Sequence, residues 1–284
     1  LAAGKVDQAQ RTFDIIHSDQ ASPTRRSVIY HTKILLSKSK FKEARQLLEK
    51  WFGPTFDPEI EGLYVNAAKE KAYPTSSFPK TNIAVADVFH SIANLVSKEA
   101  DPTFTLIYSR LAQYLDRKHV DSTLITAELL VELGQYDLAI KEHEKLSDSQ
   151  PQFFASELGR AEALRSSGKE MVAIEVLVEL TRQYPNSANG FSILGNHYRR
   201  LEAYDKAEVS YGEAIKLYEA KGEAGWFLYY VRGITRERLD LWSLAEKDFR
   251  KALSLNPTQP QVLNYLGYSL IEKNSNLDEA LDMI

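Results

Sequence analysis

Small residues return along this chain at one interval. Ala93, Ala127, Ala161, Gly195, Gly233 and Gly267 follow one another at steps of 34, 34, 34, 38 and 34. A second series, Ala139, Ala173, Ala207 and Ala245, steps by 34, 34 and 38. Pro151, Pro185 and Pro257 step by 34 and then 72, which is 34 plus 38. Three separate series thus share one period and one four-residue insertion, and a period of this size means a stack of like units. Each series meets a steric need. Two antiparallel helices whose backbones approach closely require small side chains at the crossing, where a larger one overpacks at roughly 1–3 kcal/mol. Proline marks the stop of a unit's second helix, because it cannot continue a helix and restricts the residue before it.

Between these marks the apolar residues keep helical spacing. Leu194 and Tyr198 share one helix, and Ala207, Tyr211 and Ala214 share the next, with Leu201, Ala203 and Tyr204 at the turn. Each pair is amphipathic and buries its apolar face only against its neighbours, which is the logic of a solenoid. With only 13 Gly and 10 Pro, the composition favours helix throughout. Turns are expected near Gly134, Gly168, Glu202 and Asp240.

The order Phe191-x-x-Leu194-Gly195-x-x-Tyr198, then Ala207, Tyr211 and Ala214, closely resembles the tetratricopeptide repeat family. The next unit has Tyr229, Gly233, Ala245, Phe249, Ala252 and Pro257, with Arg232 and Arg236 where the family has apolar residues. Another opens with Leu263, Leu266 and Gly267 and reaches Ala280 one residue late. Earlier units run from Val120 and Phe154, and a degenerate one from Ala86. The resemblance implies an all-α fold, an α-solenoid of antiparallel helix pairs forming a right-handed superhelix.

Three segments follow. Residues 1–52 read as degenerate helices of the same type: Gly4, Val6, Ala9 and Phe13 match a second helix, and Phe41, Ala44 and Leu48 match it again 35 residues later. Residues 53–85 read as irregular, with a short helix about Glu59–Lys71 and a proline-rich connector about Tyr73–Thr81 that carries Ser76 and Ser77. Gly53, Pro54, Pro58, Pro74 and Pro79 interrupt the pattern there. Residues 86–284 read as the array, about six repeats with the last truncated. Leu1 falls near a turn and Ile284 within a second helix, so the array is expected to continue beyond both ends.

Catalytic signatures are missing from the sequence. It has no cysteine, which removes disulfides, thiolate nucleophiles and zinc fingers. None of His17, His31, His90, His119, His143 and His197 pairs with another at metal-ligand spacing, so these read as partly exposed helical residues and no metal or other cofactor is expected. Gly168-Lys169 reads as a turn rather than a phosphate loop, and Ser269 lacks the second glycine of a nucleophile elbow. Glu142 and Glu144 alternate with Lys141 and Lys145 and read as a solvated face. The formal net charge of −4 argues against nucleic acid as the partner, since such binding depends on Lys and Arg neutralising phosphates. No run of about 18 apolar residues is present, so no span of a membrane is expected. The chain does not read as an enzyme.

What remains is a binding surface. The resemblance places positions 2, 5, 9, 12 and 13 of each repeat on the inner, concave face. Here these are Asn189, Ser192, Asn196, Arg199 and Arg200, then Phe227, Tyr230, Ile234, Glu237 and Arg238, then Gln261, Asn264 and Tyr268. Asn bonds a peptide backbone, Arg pairs with carboxylates, and Tyr supplies rigid amphipathic area. The mixture suits an extended peptide or a partner helix, and these residues are expected to matter for binding but hardly for stability. The carboxylate clamp of chaperone-binding members is missing, because Ser192 and Val231 occupy two of its positions. Residues 106–116, 263–269 and 276–280 resemble large tetratricopeptide proteins of alphaproteobacteria that are commonly exported. That likeness implies a periplasmic scaffold for envelope integrity or assembly. The alternative is a cytoplasmic adaptor, or the recruiting arm of an enzyme whose catalytic part lies outside this sequence.

Overall fold

The computed structural model describes residues 5–18, 23, 25–52, 58–75 and 80–284. Gly4, Gly53, Pro54 and the connector residues Ser76, Ser77 and Pro79 lie outside them, as does the side chain of His17. Sixteen helices and no strand are found among the described residues. They are α1 (Val6–Ser18), α2 (Arg25–Ser37), α3 (Phe41–Phe52), α4 (Pro58–Ala68), α5 (Thr81–Val96), α6 (Pro102–Leu115), α7 (Val120–Glu132) and α8 (Tyr136–His143). Then come α9 (Phe153–Ser166), α10 (Glu170–Gln183), α11 (Ala188–Arg200), α12 (Tyr204–Glu219), α13 (Trp226–Arg238), α14 (Trp242–Leu255), α15 (Pro260–Glu272) and α16 (Leu277–Met283). The chain forms two compact units, residues 1–95 with 110–119, and residues 96–109 with 120–284.

All four expected turns are present, and one backbone device makes each of them. At the end of α7, the Gly134 N–H bonds to the Val131 carbonyl and the Gln135 N–H to that of Leu130. The same pair of bonds recurs at Gly168 and Lys169, at Glu202 and Ala203, at Asp240 and Leu241, and at Asn274 and Ser275. This is the Schellman closure, which satisfies helix-end carbonyls by placing one residue in the left-handed region. That residue has φ of 70° at Gly134, 81° at Gly168, 57° at Glu202 and 59° at Asp240. Glycine takes this conformation without steric penalty, whereas Glu202 and Asp240 hold it against their Cβ atoms.

The four-residue insertion falls after α12. Where the proline series skips a member, Gly222 (φ 71°) ends the helix by the same closure, with the Glu223 N–H bonded to the Tyr218 carbonyl. The Tyr229 hydroxyl then donates to the Glu219 carboxylate and ties the lengthened helix to the next pair.

The small-residue series marks the closest approaches. A Cβ on Gly195 would sit 2.8 Å from two carbons of the Tyr211 ring, and one on Gly233 would sit 2.6 and 2.8 Å from two of Phe249. Both rings are fully buried. Where the series has Ala161, the residue sixteen positions on is the smaller Leu177, also fully buried. At these three crossings the bulkier ring faces glycine and the smaller leucine faces alanine, as dense packing requires. In the second unit, one core gathers Leu130, Ala161, Leu164, Ala173 and Leu177, and another gathers Tyr211, Phe249, Leu266 and Leu270. Tyr198 packs against both. In the first unit, Val28, Leu36, Leu48 and Leu63 close a core between α2, α3 and α4.

Two readings are corrected by burial. His31, His90, His119, His143 and His197 are not partly exposed but lie within the packing, at 1–7 % exposure. Glu142 is likewise buried, with Lys145 Nζ 2.6 Å from its carboxylate, rather than on a solvated face. The arginines at apolar positions are absorbed by charge pairing. Asp248, 4 % exposed, receives both Nε and a terminal nitrogen of Arg232 at 2.8 and 2.7 Å, and Arg236 at 2.8 Å. Arg236 also reaches Glu208 at 2.7 Å.

Candidate functional site

The residues expected at the binding surface lie on α11, α13 and α15, and they divide into two groups. On α11, the fold itself takes up part of the polar set. The Tyr211 hydroxyl is carried into the core with its ring, and a buried hydroxyl needs partners. It donates to Asn196 Oδ1 at 2.7 Å and accepts from Arg199 Nε at 3.2 Å. Asn196 and Arg199 therefore support the helix pair, which corrects the expectation that they hardly matter for stability. Asn189 and Arg200 stay exposed and Ser192 is half-buried. Phe227, 48 % exposed, stands edge-on to Trp226 at the start of α13, away from the cleft described next. Ile234 packs against the core.

The second group converges. A cleft of about 500 Å³ runs between α13 and α15, lined by Tyr230, Glu237 and Arg238 on one side and Gln261, Asn264, Tyr265, Tyr268, Ser269 and Glu272 on the other. Gln261, Asn264, Tyr268 and Glu272 follow at helical spacing and form one stripe along α15. The floor is aromatic: Tyr230 meets Tyr265 edge-on at 6.0 Å, and Tyr265 lies 5.2 Å from Phe249. The Tyr265 hydroxyl donates to Glu237 Oε2 at 3.2 Å. Burial and then the Glu237 charge push its pKa up to about 12, and burial raises that of Tyr230. Both phenols therefore keep their protons at ordinary pH. Tyr268 is 57 % exposed and offers its ring to solvent.

Tyr265, Ser269 and Glu272 were not among the residues expected at this site. Glu272 is the thirteenth residue of its repeat, the counterpart of Arg200 and Arg238, so the same spacing carried one turn further reaches it. Tyr265 has no such signal, because its contact with Glu237 is made across two repeats.

A second, apolar cleft lies within the first unit. Phe13, Tyr30, Val88, Ile92 and Leu95 surround about 380 Å³ beside the Arg26–Asp87 pair. Asp87 receives the Tyr30 hydroxyl, Arg26 and His119 Nε2, each at 3.1 Å. Burial alone would raise its pKa, but His119, Arg26 and Tyr30 together hold it below the usual carboxylate range. Among the described residues, no three His, Asp or Glu converge on a point where a metal ion would sit. No helix is long and apolar enough to cross a membrane, again among the described residues.

No protein-family model matches the chain. Solved structures do. A MamA fragment from Desulfovibrio magneticus RS-1 is 20% identical, with a TM-score of 0.52, over 61% of this chain and 96% of its own. Another MamA structure is 18% identical, with a TM-score of 0.51, over 62% of this chain and 94% of its own. At such identities the likeness speaks for the fold, a solenoid of tetratricopeptide type.

Proposed function

We propose that this protein is a protein-interaction scaffold whose working site is the α13–α15 cleft, where it holds an extended segment of a partner protein. The observation that carries this reading is the stripe of Gln261, Asn264 and Tyr268 facing the Tyr230 ring. Side-chain amides pair with a peptide backbone, and tyrosines contribute contact area at low entropic cost. Tyr268 and Asn264 are the best test, because both are exposed and neither supports the core. Alanine at Tyr268 is expected to weaken a partner captured from native extract by roughly tenfold, the scale of an aromatic anchor. The melting temperature should stay within about a degree. Normal binding by both alanine variants would move the site elsewhere.

We further place the scaffold in a bacterial envelope, in support of envelope integrity or assembly. This setting rests on the resemblance of residues 106–116, 263–269 and 276–280 to exported tetratricopeptide proteins. Fractionation of native cells tests it, and recovery in the cytoplasm alone would end it.

A further inference from the structure

The cleft is not electrically uniform along its length, and this says what kind of segment fits. Its α15 stripe runs from Gln261 to Glu272, eleven steps along the helix, or about 16 Å at 1.5 Å per residue. An extended chain covers that distance in about five residues. At the end where α13 and α15 begin, the lining is amide and aromatic. At the end where both helices stop, it is charged: Glu237 and Glu272 against Arg238. Glu272 has no hydrogen-bond or ion-pair partner among the described residues, whereas Arg238 lies 3.8 Å from Glu237. Lys273, the nearest other cation in sequence, is turned onto the Trp242 ring at 5.2 Å. Arg199 is held at the α11 side by Tyr211. Two helix C-termini add their own partial negative charge at the same end. Two carboxylates against one guanidinium leave this end net negative, with Glu272 uncompensated, so an acidic side chain there is repelled and a basic one attracted.

We infer that the segment taken by this cleft is about five residues long and basic at one end. An apolar or aromatic side chain lies against Tyr230 and Tyr268, and a Lys or Arg side chain is directed between Glu237 and Glu272. The inference rests on the cleft reading proposed above and adds the charge of the partner.

The test uses the full chain and fluorescein-labelled peptides that share the core Ala-Leu-Tyr-Ala and differ in one residue, Lys, Gln or Glu, placed at either end. Binding is read by fluorescence anisotropy at low and high salt. The Lys peptides are expected to bind roughly three- to fivefold more tightly than the Gln peptides, the scale of one exposed ion pair. The Glu peptides should bind most weakly, and salt should erase the differences. Glu272→Gln should remove most of the preference, and Arg238→Gln should enlarge it; melts of both variants exclude misfolding as the cause. Equal binding of all three peptides, or tightest binding of the Glu peptides, together with a loss for Tyr268→Ala, overturns the charge assignment and leaves the cleft reading standing. No binding by any peptide up to about 1 mM overturns both.

Discussion

Replacing Gly233 by alanine tests whether the close helix crossing, rather than helix propensity, sets the stability of the array. A methyl group at this position would meet Phe249 Cε1 at 2.6 Å, Cδ1 at 2.8 Å and Cζ at 3.1 Å. Carbon atoms rest about 3.5–4.0 Å apart, so the ring must retreat by about 1 Å. It has little room, since it is fully buried with Tyr265 at 5.2 Å and Tyr230 at 6.2 Å. Alanine in a helix interior is worth about 0.8–1.0 kcal/mol over glycine. Overpacking costs roughly 1–3 kcal/mol, so Gly233→Ala is expected to lose about 1 kcal/mol net. Gly212→Ala is the control: its Cβ meets nothing nearer than Arg232 at 4.0 Å, and it should gain about 0.5–1 kcal/mol. Phe249→Leu opens the space, and the double variant recreates the Ala161 and Leu177 combination found 72 residues earlier. Urea midpoints followed by circular dichroism should therefore show a favourable coupling of about 1 kcal/mol. If the two changes add within about 0.5 kcal/mol, or if Gly233→Ala gains as much as Gly212→Ala, the steric account is wrong.

Three more outcomes follow from the geometry. Glu202→Gly and Asp240→Gly relieve left-handed backbone at φ 57° and 59°, so each should raise the urea midpoint by the equivalent of about 0.5–1 kcal/mol; no change would mean the turns are unstrained. Asp248→Ala leaves Arg232 facing an empty, buried site and should cost about 3 kcal/mol or more in the same assay, and a loss below about 1 kcal/mol would show that the pair is not desolvated. His143 has its pKa lowered to about 4, first by burial, with Glu157 and Glu142 opposing and Arg160 assisting. The fold thus favours the neutral ring: its contribution is whole above about pH 6.5 and declines as pH falls toward 4, by at most roughly 3 kcal/mol. Urea titrations from pH 7 to 4 should accordingly fall less steeply for His143→Gln, and parallel curves would remove His143 as the cause.

The period, the helix pairs and the turn positions were legible in the sequence because each reflects a local requirement. A left-handed residue must close the first helix, a small one must stand at the crossing, and a breaker must end the second helix. Even the skipped proline has a local substitute in Gly222. The residues that line the α13–α15 cleft include Tyr230, Glu237, Arg238, Gln261, Asn264 and Tyr268, which stand at repeat positions that the resemblance to the tetratricopeptide family assigns to the inner face. Periodicity says which way a side chain points from its own helix and nothing about what it meets. That Tyr211 would claim Asn196 and Arg199, or that Asp248 would neutralise two arginines, depends on how a polar atom carried into the core finds its partner across a helix pair. Asp87, bound by Tyr30 and His119 from 57 and 32 residues away, is of the same kind. The sequence by itself determined where the helices of the repeats turn and cross, because steric demands repeat with the chain. Only the tertiary structure decided which polar groups are consumed in holding the helices together and which remain for a partner, because desolvation makes that choice one contact at a time.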